Sequence, residues 1–215
     1  MNTVVINKIP VEANIENLLP QKNFKADSPI YYEYLHAADI LTKRIQPMAL
    51  LKECSVEIIS DNTILIDGHV YKSKMLRHLL KDNQKVFLYL LTIGETPSDL
   101  TQTETYFVHS LKLPVMVSAM QELKKMVQTE QHIEKIGMVN PGLIPDWSLQ
   151  ANQSIFETFG STTKAIGMEI TKQSLMRPLY SSSGILFEDY HHYCECETCT
   201  IDACIGREFR FNQTA

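Results

Sequence analysis

The feature that most restricts the fold of this chain is a single apolar run, KVFLYLLTIG, at 85–94. Its β-branched and aromatic residues are typical of a strand that is buried on both faces of a sheet. The uninterrupted part, from Val86 to Ile93, is too short to span a bilayer. A buried helix segment would show the same lack of alternation, so that alternative stays open at this point.

Around this run, the spacing of apolar residues predicts strands and helices in an order that indicates a mixed α+β domain. Ser73 and Ser148 are expected to cap the helices that follow them, and Gly160 is expected to end the second of these helices. Pro114 is expected to kink or split the longest helix. The predicted strands cover 4–9, 55–59, 63–67, 85–94, 133–139, 163–171 and 181–189, and the predicted helices cover 31–45, 72–80, 98–131 and 149–159.

Composition and charge exclude several classes of protein. The 215 residues carry a net charge of −5 without a basic block, which argues against nucleic acid as a partner. The N-terminus has no signal-peptide pattern and no apolar run reaches membrane length, so we expect a cytoplasmic protein with no membrane partner. The sequence contains no G-x-S-x-G, Walker, G-x-G-x-x-G or H-E-x-x-H motif, which argues against a self-sufficient hydrolase or kinase.

Four cysteines lie close together at the end of the chain, in CECETCTIDAC. Cys194, Cys196, Cys199 and Cys204 have the spacing C-x-C-x2-C-x4-C, and the only other cysteine is Cys54, for which we expect a buried, apolar role. Clustered thiols in a reducing compartment more often bind metal than form disulfides. We therefore predict a folded domain over 1–190 and a cysteine-rich tail over 191–215. An iron–sulfur cluster, a zinc ion, and free thiols or a redox pair remain open for the tail, and His191 and His192 are either additional ligands or ordinary exposed histidines.

The segment IGMEITKQSLMRPLYSSSGILF at 166–187, with NPGLIPDW at 140–147 before it, resembles the activation (reactivation) domain of vitamin B12-dependent methionine synthase. That family has a Leu-Thr-Glu-Ser-x-Ala-Met-x-Pro segment that runs into Ser-Val-Ser-Gly, and an Arg-Pro-Ala-Pro-Gly-Tyr loop upstream. Small stand-alone relatives of the domain have a similar layout, and some end in a cysteine-containing tail. The matching positions are Pro141, Gly142, Pro145, Asp146, Ile170, Thr171, Met176, Pro178, Ser181, Ser183, Gly184 and Phe187.

The resemblance implies one α+β domain built on a twisted antiparallel sheet with a long helix, and a role in restoring oxidised cobalamin. It implies S-adenosylmethionine as a ligand, cobalamin held by a partner, and a corrinoid protein or cobalamin-dependent methyltransferase as that partner. Each site residue also has a purely structural explanation, such as a turn, close packing, a solvated charge or, for Trp147, a packing anchor. The candidate cofactor-binding residues are Asn140, Pro141, Gly142, Trp147, Thr171, Lys172, Ser181, Ser183 and Gly184.

The sequence departs from the family pattern at positions that matter for a ligand. Met138 stands where the family has the loop arginine, Leu143 where it has the loop tyrosine, and Lys172 where it has the glutamate. Three hypotheses follow: a stand-alone activator of a corrinoid protein, a docking or chaperone subunit whose tail is stapled by zinc, or a fragment that completes a methionine synthase lacking this domain.

Overall fold

The structure is a computed structural model, and it describes residues 2–11, 25 and 28–194 of the chain. The strands are β1 (Val4–Ile6), β2 (Met48–Ser60), β3 (Thr63–Ile66), β4 (His69–Lys72), β5 (Lys85–Thr92), β6 (Ile136–Val139), β7 (Glu169–Ile170), β8 (Met176–Arg177) and β9 (Ser181–Glu188). The helices are α1 (Pro29–Arg44), α2 (Lys74–Leu80), α3 (Gln102–Gln131) and α4 (Ala151–Phe159), and α4 continues as a 3-10 helix over Gly160–Ile166.

One antiparallel sheet organises the fold, with the strand order β4-β3-β2-β5-β9-β6 and with β1 paired to β2. β7 and β8 form a separate two-stranded ribbon. The α+β class, the antiparallel sheet and the long helix are as predicted. Strand β5 lies in the middle of the sheet, and every residue in it after Lys85 is buried, so the apolar run is a strand and not a helix.

The two faces of β5 contribute to two separate parts of the core. Phe87, Tyr89 and Leu91 point towards α1 and α3. Leu88 and Leu90 point the other way, towards α2, α4 and the β3–β4 hairpin. Because helices or a hairpin cover both faces, the strand carries no polar face and its sequence shows no alternation.

Several predicted details are confirmed and others are wrong. Ser73 caps α2 by accepting a hydrogen bond from the Leu76 N–H at 2.8 Å, and Gly160 ends α4 as expected. Ser148 does not cap α4, because the helix begins only at Ala151. Leu149, which precedes the helix, is half exposed.

The segment predicted as a strand over 163–171 is not one strand, because 163–166 belong to the 3-10 helix and only Glu169–Ile170 is extended. Thr163 and Ile166 are buried while the two residues between them are exposed, and this spacing of three fits a 3-10 turn rather than a strand. Gly167, at φ +65°, ends the turn.

Pro114 does not split the long helix, which runs unbroken from Gln102 to Gln131. A proline inside a helix costs about 3 kcal/mol because it removes a backbone hydrogen bond and crowds the preceding turn. Buried residues on both sides of it, among them Leu111, Val115 and Ala119, pack into the same core. This burial offsets the cost of the proline.

Candidate functional site

A buried hydrogen-bond network surrounds Asn140, the first of the predicted site residues. The Asn140 Nδ2 donor lies 2.5 Å from Tyr89 Oη, 2.8 Å from Ser182 Oγ and 2.7 Å from the Ser183 carbonyl oxygen. Tyr89 Oη and Ser182 Oγ are 3.1 Å apart. Asn140, a loop residue, is therefore hydrogen-bonded to two adjacent strands of the sheet, β5 and β9.

The network continues through the sheet to its other face. Ser183 Oγ donates to Asn152 Oδ1 at 2.6 Å, and Asn152 Nδ2 donates to the Ser174 carbonyl at 3.4 Å. On the next residue of α4, Gln153 Nε2 donates to the Thr171 carbonyl at 2.7 Å. An unbroken series of polar contacts thus connects β5, β9 and α4 to the turn between β7 and β8.

Gly184 allows β6 and β9 to approach each other closely. A Cβ atom at this position would lie 2.3 Å from the Val139 carbonyl oxygen and 3.1 Å from Asn140 Nδ2. The backbone oxygen cannot move without breaking the β6–β9 pairing, so any side chain is excluded here. Gly184 is therefore required for the position of Asn140, whether or not it contacts a ligand.

The Pro141–Gly142 turn does not present free backbone donors. The Gly142 N–H donates to the Trp147 carbonyl at 2.7 Å, and the Leu143 N–H donates to the Asn140 carbonyl at 3.2 Å. Leu149 lies directly over Gly142, because a Cβ there would meet its side chain at 2.8 Å. In this conformation the N–H groups of Gly142 and Leu143 close the loop on itself and are not free to bind a ligand.

Asp146 holds the same loop against helix α2. Its carboxylate accepts hydrogen bonds from Ser73 Oγ at 2.6 Å and from the Lys74 N–H at 2.6 Å. Burial disfavours ionisation of this carboxyl, but the hydrogen bonds from Ser73, Lys74 and Met75 outweigh burial and lower its pKa. Asp146 therefore caps the N-terminus of α2, although the two are 72 residues apart in the sequence.

Trp147 is almost completely buried and packs edge-on against Tyr71, with ring centroids 6.1 Å apart. It is a packing anchor in this conformation, so it has no open ring face for an adenine or a corrin to stack on. Trp147 Nε1, Tyr71 Oη and Asn140 Oδ1 are buried polar atoms without a hydrogen-bond partner among the described residues. These three atoms are the unsatisfied groups closest to the predicted site.

The remaining predicted residues lie at both ends of the network. Ser181 Oγ donates to Thr92 Oγ1 at 3.0 Å, at the end of β5. Thr171 closes the β7–β8 turn by accepting from the Leu175 N–H at 3.1 Å, and Lys172 is exposed at the tip of that turn. The structure brings Asn140, Ser183 and Gly184 together, whereas Lys172 and Trp147 lie apart from them.

An open cleft of about 590 Å³ lies beside the far end of the network. It shares Gln153 with the network, and its floor includes Phe156 and Met168. Its volume is in the usual range for small-molecule sites, although none of the nine predicted cofactor-binding residues lines it. Charged side chains of both signs surround its mouth: Glu95, Glu157, Lys164, Glu169 and Arg177.

Lys112, on α3, is a buried cation near this end of the sheet. Only 1% of the residue is exposed; its Nζ donates to the Gly94 carbonyl at 3.1 Å and lies 5.3 Å from the centre of the Tyr180 ring. No carboxylate of the described residues lies within 4.0 Å of it. Burial therefore lowers the pKa of Lys112, an effect that Glu95 partly opposes.

The cysteine tail is mostly outside the described residues, which include Cys194 but not Cys196, Cys199 or Cys204. Cys194 is a partly exposed free thiol, and within the described part of the chain no three His, Cys, Asp or Glu side chains are grouped to hold a metal ion. The metal site of the tail stays a prediction. His191 is exposed and bonds Asp82 at 2.7 Å.

The tail begins at the end of the sheet opposite to the network. Strand β9 runs from Ser181, beside Thr92, to Glu188, whose backbone is bonded on both sides to the Asn83 side chain. Seven residues of extended chain span about 23 Å. The described part of the tail therefore starts about that far from the Ser181 end of the site.

Comparisons with known proteins agree with this architecture. One solved structure of similar fold is the crystal structure of the MetH reactivation domain bound to AdoHcy, with a TM-score of 0.62, 13% sequence identity, and coverage of 90% of this chain and 80% of that chain. The fold is similar to that of the MetH reactivation domain. No family profile and no curated protein matches the sequence. At this level of identity, the likeness establishes the fold alone. Among the described helices, none is long and apolar enough to cross a membrane.

The residues of this chain do not provide the carboxylate-binding contacts that the resemblance implies. Met138, where the family has its arginine, is a buried core residue that packs with Phe87 and Leu186. A thioether cannot replace a guanidinium in binding a carboxylate, and the N–H groups of Gly142 and Leu143 are already bonded. A ligand would have to be held by other groups, or the loop would have to open.

Sequence reasoning missed three residues that hold the network and the end of β5: Tyr89, Asn152 and Lys112. Tyr89 is the only residue with a polar side chain between Val86 and Leu91 of the apolar run, and such a residue inside a buried strand needs a hydrogen-bond partner. Asn152 and Lys112 lie on helices among residues with an apolar pattern, where a polar side chain could equally have faced solvent. Only Tyr89 therefore had a usable signal in the sequence.

Proposed function

We propose that this chain is a protein of the activation-domain type, which acts on a partner corrinoid protein or cobalamin-dependent methyltransferase. Its role would be to help return an oxidised, inactive cobalamin on that partner to its working form. The observation that carries this proposal is the fold: 90% of the chain superposes on a domain whose known structure holds AdoHcy. The cysteine tail would carry a metal centre, either an iron–sulfur cluster or zinc, with Cys194, Cys196, Cys199 and Cys204 as ligands.

The predicted ligand site would lie where the Pro141–Gly142 loop meets the start of β9. Asn140, Ser183 and Gly184 are assembled there, with Thr171 connected to them through α4. Asn140 Oδ1 supplies a hydrogen-bond acceptor that has no partner among the described residues. An S-adenosylmethionine molecule would need this contact and others like it, because the arginine is absent and loss of its charge-assisted hydrogen bond costs about 1.5–3 kcal/mol, or roughly ten- to a hundredfold in affinity.

The absence of this arginine favours a second candidate function. The protein would be a docking or chaperone subunit of a corrinoid methyltransferase system, without a ligand of its own and with a structural zinc in its tail. The buried Met138 and the closed loop both fit this role, because neither offers a contact for a carboxylate. A protein that completes a methionine synthase lacking this domain is a special case of the first candidate.

Titration with S-adenosylmethionine and with AdoHcy separates the two functions. The single tryptophan, Trp147, is buried beside the loop, so its fluorescence reports a ligand bound there. Binding in the micromolar range, about −8 kcal/mol, supports the activating role. No binding up to the millimolar range favours the docking role.

The activity itself is tested on a purified partner. The cobalamin-binding region of a B12-dependent methionine synthase, loaded with Co(II) cobalamin, is mixed with a chemical one-electron reductant and S-adenosylmethionine, and its visible spectrum is followed with and without this protein. Faster loss of the Co(II) spectrum with the protein present is the expected result. Equal rates in both samples would contradict the activating role. Iron, zinc and acid-labile sulfide measured in protein purified without oxygen then identify the metal of the tail.

A further inference from the structure

The sheet extends beyond the helices that cover one of its faces. Ala49 and Leu51 of β2 pack on that face with the residues of α1 and α3. Further along the sheet, Lys85 Nζ donates to Glu53 Oε2 at 2.7 Å and to Oε1 of Gln131, the last residue of α3, at 3.4 Å. Helix α3 therefore ends beside Glu53, and past that point no helix among the described residues covers this face.

The uncovered part is the outer side of the three strands β2, β3 and β4. Glu57, Leu65 and Val70 are paired in one row across these strands. Thr63 and Lys72 are paired in the next row, on β3 and β4. Val70 is 57% exposed, and Glu57 and Lys72 are exposed as well. We call this set of five residues the hairpin face.

The inner side of the same strands is buried and holds them in place. Ile64, Ile66 and Tyr71 are at most 3% exposed and belong to the core beneath α2 and α4. Because side chains alternate along a strand, burial of these three residues fixes their neighbours on the outer side. The hairpin face is thus carried by ordered strands, and an ordered surface loses little conformational entropy when a partner binds.

Two charges of opposite sign occupy opposite corners of the hairpin face. Glu57 on β2 and Lys72 on β4 are separated by two strand spacings and by two residues along the strands, which places their Cα atoms about 12 Å apart. Neither forms an ion pair with another residue that the structure describes. Leu65 and Val70 both lie on the same side of the line that joins them.

This arrangement is complementary to itself. A two-fold axis in the plane of the face that places Glu57 opposite Lys72 of a second copy also places Lys72 opposite Glu57 of that copy. The same rotation brings Leu65 and Val70 of the two copies together, because they lie on one side of the Glu57–Lys72 line. A partner surface with charge of only one sign would satisfy one corner and be repelled by the other.

We propose that the hairpin face binds the hairpin face of a second copy of this chain and forms a weak, symmetric dimer. This proposal does not depend on the proposed function, which needs no second copy. Five residues on each side make a contact well below the standard interface of about 800 Å² per partner. Each copy also carries a net charge of −5, which opposes association. We therefore expect a Kd on the order of 0.1 mM.

The test is sedimentation equilibrium on the full chain, with a reductant and a chelator present. These additions prevent the cysteines of the tail from cross-linking two copies or from sharing a metal ion. Glu57→Lys and Lys72→Glu are each expected to raise Kd at least about fivefold, because each change makes both charge pairs repulsive. An equimolar mixture of the two variants is expected to recover the wild-type Kd, because the mixed dimer has opposite charges at both contacts.

Matched variants outside the hairpin face control for net charge and for lost apolar surface. Lys8→Glu changes the net charge as Lys72→Glu does, at an exposed position, and its Kd is expected to stay within about twofold of wild type. Val70→Ser is expected to raise Kd at least about fivefold. Val4→Ser, at a position that is 50% exposed on β1, is expected to leave Kd unchanged.

Two results would overturn the proposal. One is a wild-type protein that stays monomeric up to about 1 mM, since a second copy would then not be the occupant of this face. The other is a dimer whose Kd is the same in Glu57→Lys, with a mixture that associates no more tightly than its components, since the contact would then lie elsewhere. The mixture remains informative even if Val70→Ser fails to fold, because Glu57 and Lys72 are both exposed.

Discussion

Asn140 and Asn152 bond to the same residue, Ser183, from opposite faces of the sheet. Asn140 Nδ2 lies 2.7 Å from the Ser183 carbonyl oxygen, and Asn152 Oδ1 accepts from Ser183 Oγ at 2.6 Å. One residue of β9 is thus held from two sides by side chains that arrive from a loop and from a helix. This arrangement makes the site a rigid unit rather than an open pocket.

The first prediction concerns Asn152. The change Asn152→Ala should lower the free energy of unfolding by about 1–3 kcal/mol, because it leaves buried Ser183 Oγ without its acceptor. Urea unfolding checks this. Ser161→Ala, an exposed position in the 3-10 helix that continues α4, is the control and should have little effect. A cost equal to that of Ser161→Ala would show that the network contributes nothing to stability.

The second prediction concerns Gly184. The change Gly184→Ala should destabilise the protein by about 3 kcal/mol or more, because the new Cβ would lie 2.3 Å from the Val139 carbonyl oxygen and would push β6 away from β9. Thermal unfolding measures the loss. Hydrogen exchange at the β6 amides should accelerate in the same variant. A loss of stability below about 1 kcal/mol would mean that β6 and β9 can move apart at little cost in free energy.

The third prediction concerns Asp146 and pH. Asp146→Asn should cost about 1 kcal/mol at pH 7, since it weakens the cap on α2. The lowered pKa of Asp146 means that its contribution is present above the ordinary value of 3.8 and is lost as pH falls through the lower folded value. Wild type and variant should therefore converge in stability as pH falls below 3.8. Asp61→Asn, in the exposed β2–β3 turn, is the control and should change stability little at pH 7.

The fourth prediction concerns Lys112. Burial lowers the pKa of this lysine below its ordinary 10.5, so between the two values the unfolded chain holds the proton more than the folded protein does. Stability of wild type relative to Lys112→Met should therefore rise as pH rises through that window. Chemical unfolding at several alkaline pH values measures the difference. Lys125→Met, at an exposed position on the same helix, is the matched control for the loss of a lysine.

The fifth prediction concerns Cys54. Burial, with a smaller effect of Asp67, raises the pKa of the Cys54 thiol to about 11, and only 2% of the residue is exposed. In folded protein whose tail has first been stripped of metal with a chelator, iodoacetamide at pH 8 should therefore label Cys194 well before Cys54, since the thiolate is the reactive form. Peptide mass spectrometry measures both rates. In urea the two should react alike, and fast labelling of Cys54 in the native protein would contradict its burial.

Much of the fold could be predicted from the sequence, because the relevant signals lie within a few residues of each other. The apolar run at 85–94 indicated a buried strand, and Ser73 indicated the start of α2. The wrong assignment at 163–171 was also local: Ile166, Met168 and Ile170 alternate as in a strand, but Ile166 is the last residue of the 3-10 helix. Pro114 does not split the helix because its cost is local, whereas the packing that offsets it comes from α1 and the sheet.

The sequence by itself determined the class of fold and the central strand. The tertiary structure decided which polar residues meet around Ser183 and what they do there. The Gly142 N–H is taken by Trp147, and Asp146 caps a helix from another part of the chain. Asn152 reaches Ser183 across 31 positions. Secondary structure is encoded in short-range periodicity, but a buried polar group is satisfied by whichever partner the packing of distant segments brings to it.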